Sequence, residues 1–152
     1  MRLQLVPAIH RATHRIALHL DATAPPLDAS QGEAHLLAFL HEAGTSSVAE
    51  LHDAFAHKRS TLTSYLDRLE GKGLATRRVH PDDRRSFLVA LTPAGRTLAA
   101  RVHARLEELE DAALAHLSER DLRGFQAVLH AVQEHIETAP NRRPAAARRR
   151  KP

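Results

Sequence analysis

The sequence predicts a mainly α-helical fold with a small β-wing, which is a two-stranded hairpin beside the helices. Two observations predict the helices. Apolar residues recur at spacings of three and four along much of the chain, and Ser-x-x-Glu patterns precede helical segments. A third observation predicts the hairpin: the stretch "VHPDDRRSFLVALTPAG", residues 79–95, joins a turn of Pro, Asp and Arg to a run of strand-forming residues.

Helical patterns fill the first third of the chain. The first segment carries one apolar stripe and ends at the "APP" of residues 24–26. A second helix opens at Ser30 and Glu33, which have the spacing of a capping box, and it ends near Gly44. The stripe of the first helix consists of Leu5, Ile9, Ala12, Ile16 and Leu20.

Two short helices separated by a tight break follow. "SVAE" repeats the capping box at Ser47 and Glu50 and starts a helix that ends near Phe55. After the break "AHKR", a further helix extends to about Gly71. This arrangement predicts a helix-turn-helix, a motif that places its second helix in the major groove of DNA.

The second of these helices has two different faces. Leu62, Leu66 and Leu69 fall on one side and short hydroxyl residues on the other. Hydroxyls beside cations suit contacts with base edges and phosphates, although Ser and Thr near a helix start also serve only as caps or solvated residues. The candidate DNA contacts, with the two arginines of the hairpin turn, are Lys58, Arg59, Ser60, Thr61, Thr63, Ser64, Arg68, Arg84 and Arg85.

The hairpin is predicted from two strands, "LATRRVH" and "SFLVAL", around the turn "PDDRR". A hairpin with a basic tip beside such a helix can reach a neighbouring minor groove, whose potential attracts Arg. The two strands therefore complete a wing next to the helix-turn-helix.

Two further helices follow the hairpin. Thr92 and Pro93 predict the start of a long helix to about His116, and Ser118 predicts the start of a last helix. Because the chain has little aromatic mass, the first and last helices are expected to bury their stripes against a second subunit; packing within one chain is the alternative. The stripe of the last helix consists of Leu122, Phe125, Leu129, Val132 and Ile136.

The formal net charge of +4 is unevenly distributed. Residues 57–85 hold eight basic and four acidic residues, and residues 141–152 hold six basic and no acidic residues, so the rest of the chain carries −6. Positive charge concentrated in one segment of a mildly acidic body suits a surface that binds a polyanion, although an ordinary solvated charge run has the same composition. Residues 139–152 are expected to form a disordered basic tail.

The run from Leu51 to Gly95 resembles the winged helix-turn-helix of MarR-type transcriptional regulators, through "LDRLE", "KGL", the Asp-x-Arg of Asp83 and Arg85, and "LTPAG". Two residues depart from the family pattern. Ala56 stands where a turn Gly is common, and Lys58 stands where a capping Ser or Thr is common, which affects the expected turn geometry and the start of the second helix.

The resemblance implies a winged helix-turn-helix DNA-binding lobe over residues 30–92 plus a helical dimerisation lobe formed by residues 1–24 and 93–138. It implies that Arg85 enters the minor groove and that Asp83 braces the wing through a salt bridge. The expected function is that of a sequence-specific regulator of transcription, a repressor, which binds double-stranded DNA as a homodimer on a palindromic operator and is released by a small-molecule effector.

Histidines suggest where an effector would bind. The resemblance places the effector region between the first, second and fifth helices, where His14, His35 and His103 are the candidate pocket residues, with His41 nearby. His10 and His14 lie one helical turn apart, a spacing that can bind zinc, so a metal-sensing regulator is an alternative function. A winged-helix module that binds protein partners is another alternative.

Other classes of protein are not expected. The chain has no Cys, which excludes disulfides and thiolate nucleophiles, and it lacks HExxH, a Gly-rich phosphate loop and nucleophile motifs. We therefore expect no enzyme activity and no cofactor. The N-terminal sequence has no apolar run of the kind found in signal peptides, so we expect a cytoplasmic protein.

Overall fold

Local sequence signals set the helix ends in the computed structural model, which describes residues 3–22 and 26–138. Both predicted capping boxes, at Ser30 with Glu33 and at Ser47 with Glu50, are confirmed. In chain order the elements are α1 (Val6–Ala22), α2 (Gln31–Ala43), β1 (Ser46–Ser47), α3 (Val48–Phe55), α4 (Arg59–Gly71), β2 (Ala75–Val79), β3 (Phe87–Leu91), α5 (Pro93–Leu114) and α6 (Glu119–Thr138).

A small antiparallel sheet, with its strands in the order β1–β3–β2, contains the predicted hairpin. β2 and β3 pair from Ala75 opposite Leu91 to Val79 opposite Phe87. The two residues of β1 pair with the middle of β3 on its other side. The mainly α-helical fold with a β-wing is therefore confirmed, and β1 is an additional strand.

The hydrophobic core joins α2, α3, α4 and α5 to the sheet. The three leucines predicted for the inner face of α4 are all buried in it, which turns the hydroxyl face of that helix outward. Burial of each of these aliphatic side chains stabilises the folded state by roughly 1.5–3 kcal/mol. The largest fully buried apolar side chains are Leu36, Leu37, Leu40, Leu51, Leu62, Leu66, Leu69, Val89 and Val102.

The start of α5 is fixed to the segment that precedes β2. Thr92 donates its backbone N–H to the carbonyl oxygen of Leu74 (3.0 Å) and its hydroxyl to that of Gly73 (2.7 Å). Thr92 Oγ1 also accepts the backbone N–H of Gly95 (3.0 Å), which confirms the predicted helix cap. A Cβ atom on residue 95 would overlap the Leu74 carbonyl, so only glycine allows this contact.

The chain divides into two compact units, residues 1–110 and residues 111–152. The second unit is described to residue 138 and contains the end of α5 and all of α6. Ser118 and Asp121 cap α6 reciprocally, since each accepts the other's backbone N–H through its side chain. No described residue of α6 is buried, and Phe125 and Ile136 are 55% and 68% exposed. The predicted basic tail, residues 139–152, lies outside the described residues.

A helix that crosses a membrane must be both long and apolar. None of the described helices between residues 3 and 138 is both long enough and apolar enough to cross a bilayer.

Candidate nucleic-acid interface

The outer face of α4 presents short hydroxyl side chains to solvent. Ser60, Thr63 and Ser64 are exposed, and Thr61 is half-buried. The Thr63 hydroxyl donates to the carbonyl oxygen of Arg59 (2.8 Å) and the Ser64 hydroxyl to that of Ser60 (2.9 Å). These bonds use the hydroxyl protons and leave the oxygen lone pairs free to accept further hydrogen bonds.

The turn before α4 contains the two residues that depart from the family pattern. Ala56 adopts a left-handed conformation (φ 48°, ψ 23°) and donates its backbone N–H to the His52 carbonyl (2.9 Å). Lys58 occupies the N-cap position and makes no side-chain cap. The turn therefore forms without its common glycine and cap, and the Lys58 side chain stays exposed at the start of α4.

Arg68 is engaged within the protein. Its Nε donates to the buried carboxylate of Glu33, whose second oxygen accepts from Lys72 Nζ at 3.1 Å. The Arg68 guanidinium also lies over the Tyr65 ring, 5.0 Å from the centroid. Of the predicted DNA contacts, Arg68 is thus placed at the junction of α2 and α4, where it joins the two helices.

Glu33 is the buried anion of this junction, with a side chain only 2% exposed. Burial alone would raise its pKa. The hydrogen bonds from Arg68, from the Ser30 backbone and from Lys72 outweigh that effect, so the pKa of Glu33 lies below its usual range. Glu33 is therefore ionised at neutral pH and holds Arg68 of α4 and Lys72, the residue that follows α4, against α2.

Arg77 of β2 is also paired inside the protein. Its Nε and its backbone N–H both donate to the Glu70 carboxylate, at 2.7 and 2.8 Å, and its guanidinium pairs with Asp67. The Glu70 hydrogen bond, with a smaller contribution from Asp67, raises the pKa of Arg77. Two of the four acidic residues in the basic segment are thus neutralised locally.

Five cations of the basic segment remain available. All five are exposed, and none makes a side-chain hydrogen bond or ion pair within residues 3–22 and 26–138. They lie at the start of α4, on the outer surface of β2 and in the wing turn. These residues, called here the free cations, are Lys58, Arg59, Arg78, Arg84 and Arg85.

The wing turn is held by backbone and carboxylate hydrogen bonds. Asp83 Oδ1 accepts the backbone N–H of Arg85 (2.9 Å), and the Asp83 carbonyl accepts that of Ser86 (2.9 Å). The Ser86 carbonyl accepts the backbone N–H of His80 (2.9 Å). No cation of the described chain lies within salt-bridge distance of Asp83, so the carboxylate braces the turn through an amide.

A cleft of about 440 Å³ separates the start of α4 from the wing turn. Arg59 and Thr63 of α4 line it together with Asp83 and Arg85 of the wing, and Ala49 of α3 lies in the same wall. The fold thus brings predicted site residues of α4 and of the wing, which are distant in the sequence, to one surface.

The three predicted pocket histidines occupy different environments. His35 lines two cavities, of about 280 and 290 Å³, and His103 lines the first of them. His14 is exposed on α1 and lines neither. His103 Nε2 lies 2.7 Å from Glu42 Oε1. Within the described residues no group of three or more His, Asp or Glu side chains is arranged to hold a metal ion.

Two features of the site were missed by sequence reasoning. Arg78 is a free cation that belonged to the basic segment but was not singled out as a contact. Glu33 was recognised only as a capping residue, because its ion pairs join positions 35 and 39 residues apart. The alternation of β2, which points Arg77 inward and Arg78 outward, was the available signal for Arg78.

Known proteins resemble this chain in sequence. Residues 29–87 match the model of the MarR family. The HTH-type transcriptional regulator PecS of Dickeya dadantii is 32% identical over 135 residues, which cover 87% of this chain and 81% of PecS. The multiple antibiotic resistance protein MarR of Salmonella typhimurium is 35% identical over 80 residues, or 53% of this chain and 56% of that protein.

Solved structures resemble it in fold. A complex of S. aureus MepR with DNA has a TM-score of 0.75 at 21% identity and covers 89% of this chain and 99% of that chain. A mutant MarR from E. coli complexed with operator DNA has a TM-score of 0.69 at 26% identity and covers 84% and 92%. With its helix-turn-helix and wing, the chain belongs to the MarR family of transcriptional regulators.

Proposed function

We propose that this regulator binds double-stranded DNA in a sequence-specific manner and represses transcription from the site it occupies. The observation that carries the proposal is the set of free cations, which flank the hydroxyl face of α4 and the tip of the wing. Exposed, unpaired cations are the groups that release counterions from phosphates, whereas the paired Arg68, Lys72 and Arg77 are not available in the same way.

In this proposal α4 enters the major groove and the wing reaches the adjacent minor groove. Ser60, Thr63 and Ser64 offer acceptor oxygens to base edges and phosphates, and Lys58 and Arg59 contact the backbone. Arg85 is assigned to the minor groove, and Arg84 to a flanking phosphate. Residues 30–92 form the DNA-binding lobe, and the basic tail adds only non-specific affinity for phosphates.

A homodimer on a palindromic operator is part of the proposal. Val6 and Leu18 of α1 are exposed apolar residues, as are Phe125, Val128 and Ile136 of α6, and a second subunit would cover them. The dimerisation lobe is assigned to residues 1–24 and 93–138. A two-fold symmetric dimer reads two half-sites related by the same symmetry, which is why a palindrome is expected.

Release by a small-molecule effector completes the proposed cycle. The cavities lined by His35 and His103 supply space for a ligand close to α2, α5 and the turn before α4. A metal-sensing regulator and a module for protein partners are the alternatives, and the free cations favour DNA over a protein partner. We propose that the protein acts in the cytoplasm, without catalysis and without a bound cofactor.

A salt titration tests the proposal directly. Fluorescence anisotropy with a fragment of the protein's own promoter region measures the binding constant, whose logarithm should fall linearly with the logarithm of the salt concentration, with a slope of about −0.9 per phosphate contact. A scrambled fragment of equal length should bind more weakly at every salt concentration. Equal affinity for both fragments would contradict sequence-specific binding, and affinity independent of salt would favour the protein-partner module.

Repression is tested separately in cells. A reporter placed behind the same promoter region should become more active when the chain is absent and less active when it is restored. Lower reporter activity in its absence would indicate an activator instead.

A further inference from the structure

One cavity combines an aromatic wall with an acidic one. It has a volume of about 280 Å³ and lies between α2, the end of α3 and α5. Phe39 of α2 and Phe55 of α3 meet edge to face with ring centroids 5.5 Å apart, and Leu106 of α5 extends the apolar lining. This wall suits the flat apolar body of a small ligand.

The rest of the lining is acidic. Glu42 of α2 and Glu107 and Glu110 of α5 all line the cavity, and the described lining contains no Lys or Arg. His103 lies 2.7 Å from Glu42 and 3.7 Å from Glu107, whereas Glu110 makes no hydrogen bond or ion pair with any described residue. Three carboxylates against at most two imidazolium groups, those of His35 and His103, leave the lining with a net negative charge.

His35 lines this cavity and the neighbouring one of about 290 Å³, and it has an unpartnered polar atom. Its Nε2 is buried and has no hydrogen-bond partner among the described residues. Burial, with a smaller contribution from the charge of His57, lowers the pKa of His35, so the ring is neutral near neutral pH. A neutral imidazole whose Nε2 carries no proton accepts a hydrogen bond, and a ligand with N–H groups would supply one.

We infer that this cavity binds a small organic cation with an aromatic body, and that such a cation is the effector, an assignment that rests on the proposed function. Carboxylates and aromatic faces both attract a cation, whereas the same lining repels an aromatic carboxylate. The small volume limits the ligand to about one ring and its charged substituent.

Phe55 connects the cavity to the DNA-binding helix. Its ring stacks on His57, with centroids 5.9 Å apart and planes 17° apart, and the His57 ring meets Tyr65 of α4 at 5.6 Å. His57 lies in the turn that precedes α4. A cation that displaces Phe55 would therefore move this turn, and we expect the displacement to weaken operator binding.

Benzamidine, benzamide and benzoate form a matched set of probes, because they have similar sizes and differ in charge. Isothermal titration calorimetry of the full-length chain without DNA measures their binding. We expect benzamidine to bind most tightly, benzamide more weakly and benzoate most weakly. Benzoate affinity equal to that of benzamidine, or no binding of benzamidine, overturns the inference.

Variants locate the site. The double substitution Glu107→Gln and Glu110→Gln changes two exposed residues, so the fold should persist, and it should weaken benzamidine binding by roughly fivefold to tenfold while benzamide binding is unchanged. Glu108→Gln, which alters an exposed residue outside the cavity lining, is the matched control and should have no effect. An unchanged benzamidine affinity in the double variant overturns the site.

The effector role is measured separately. Benzamidine should raise the dissociation constant of the promoter fragment for the native chain and raise it less for the double variant. Because binding of the probe is measured without DNA, failure of the proposed DNA binding leaves that result intact. Benzamidine binding with no change in the affinity for DNA overturns the effector assignment.

Discussion

Asp83 places a negative charge at the tip of a surface that is otherwise rich in cations. Electrostatics alone makes that charge unfavourable near DNA. Its carboxylate nevertheless accepts the backbone N–H of Arg85 at 2.9 Å and so holds the turn that presents the Arg85 side chain. Charge and turn geometry therefore lead to opposite expectations for a substitution at this position.

Three substitutions in the wing separate charge from geometry. Arg85→Ala should weaken operator binding by roughly 1–3 kcal/mol, the scale of one good groove contact. Asp83→Ala should also weaken binding because the turn loses its side-chain acceptor. Asp83→Asn removes the charge but keeps an acceptor oxygen suited to the same turn, so it should bind at least as tightly as the native chain. Anisotropy titrations at one salt concentration measure all three.

Two results would contradict this account of the wing. If Asp83→Ala tightens operator binding, the wing acts only as a charged loop. If Asp83→Asn weakens binding as much as Asp83→Ala, the charge itself is required and the amide bond is not the important contact. Circular dichroism should show unchanged helix content in every variant.

The backbone of Ala56 is strained, since Ala56 is one of two non-glycine residues with positive φ in the described chain. Ala56→Gly relieves a left-handed conformation that costs roughly 1–2 kcal/mol and adds about 0.5–1 kcal/mol of backbone entropy in the unfolded chain. We expect a net stabilisation of up to about 1 kcal/mol in urea unfolding. Ala54→Gly, at an exposed position within α3, is the matched control and should destabilise by about 0.5–1 kcal/mol.

Equal destabilisation by the two glycine substitutions would contradict a strained turn at Ala56. It would also show that the family's common glycine offers no advantage at this position.

At the level of the elements, Glu33 connects α2 to α4 through Arg68 and Lys72. Because its pKa is lowered in the folded state, its contribution is fully present above the usual Glu pKa of 4.5 and is lost as the pH falls through the folded value. Glu33→Gln keeps the capping-box spacing but removes the charge. The variant should lose about 1–3 kcal/mol of stability near neutral pH.

The pH dependence of that loss is the specific part of the prediction. The difference in unfolding free energy between the native chain and Glu33→Gln should shrink as the pH falls below 4.5. Urea unfolding at several pH values measures it, and Glu108→Gln on the exposed side of α5 serves as the control. A difference that is constant with pH would show that the ion pairs contribute nothing.

Local signals predicted most elements of the fold, and the exceptions share a cause. The capping boxes at Ser30 and Ser47, the two faces of α4 and the hairpin are encoded within a few residues of one another. The two-residue strand β1 is defined only by its pairing with β3, some forty positions away, so no local pattern identifies it. The environment of Arg68 likewise depends on Glu33, a residue of another helix.

The candidate site was predictable to a similar degree. Sequence identified the cationic segment and the tip of the wing, because charge and turn composition are local properties. It did not distinguish the five free cations from the three paired ones, since pairing depends on which acidic side chain the fold brings near. The acceptor role of Asp83 toward an amide, in place of the expected salt bridge, depends on the turn conformation.

At the level of the whole molecule, the exposed apolar residues of α6 lead to a prediction about assembly. Phe125→Glu and Ile136→Glu place charges on the apolar stripe and should convert the proposed dimer into a monomer. Because a monomer holds only one half-site, operator affinity should fall together with dimerisation. Analytical ultracentrifugation and anisotropy measure the two properties on the same samples.

A control of the same charge tests this interpretation. Ala127→Glu lies on the opposite side of α6 and is exposed, so it should leave both properties unchanged. A monomeric native chain, or a Phe125→Glu variant that remains a dimer with native operator affinity, would contradict the assignment of α6 to the interface.

The glycine contact at the start of α5 has a mechanical consequence. Gly95 packs directly against the Leu74 carbonyl, and Thr92 is hydrogen-bonded to the same segment. The start of α5 and the base of the wing are therefore expected to move together. The part of α5 from Gly95 to Glu110 is about 22 Å long. A tilt of about 5° at Gly95 corresponds to a displacement of about 2 Å at the far end of this segment. A small ligand that binds beside Glu107 and Glu110 and tilts α5 would therefore also rotate the wing.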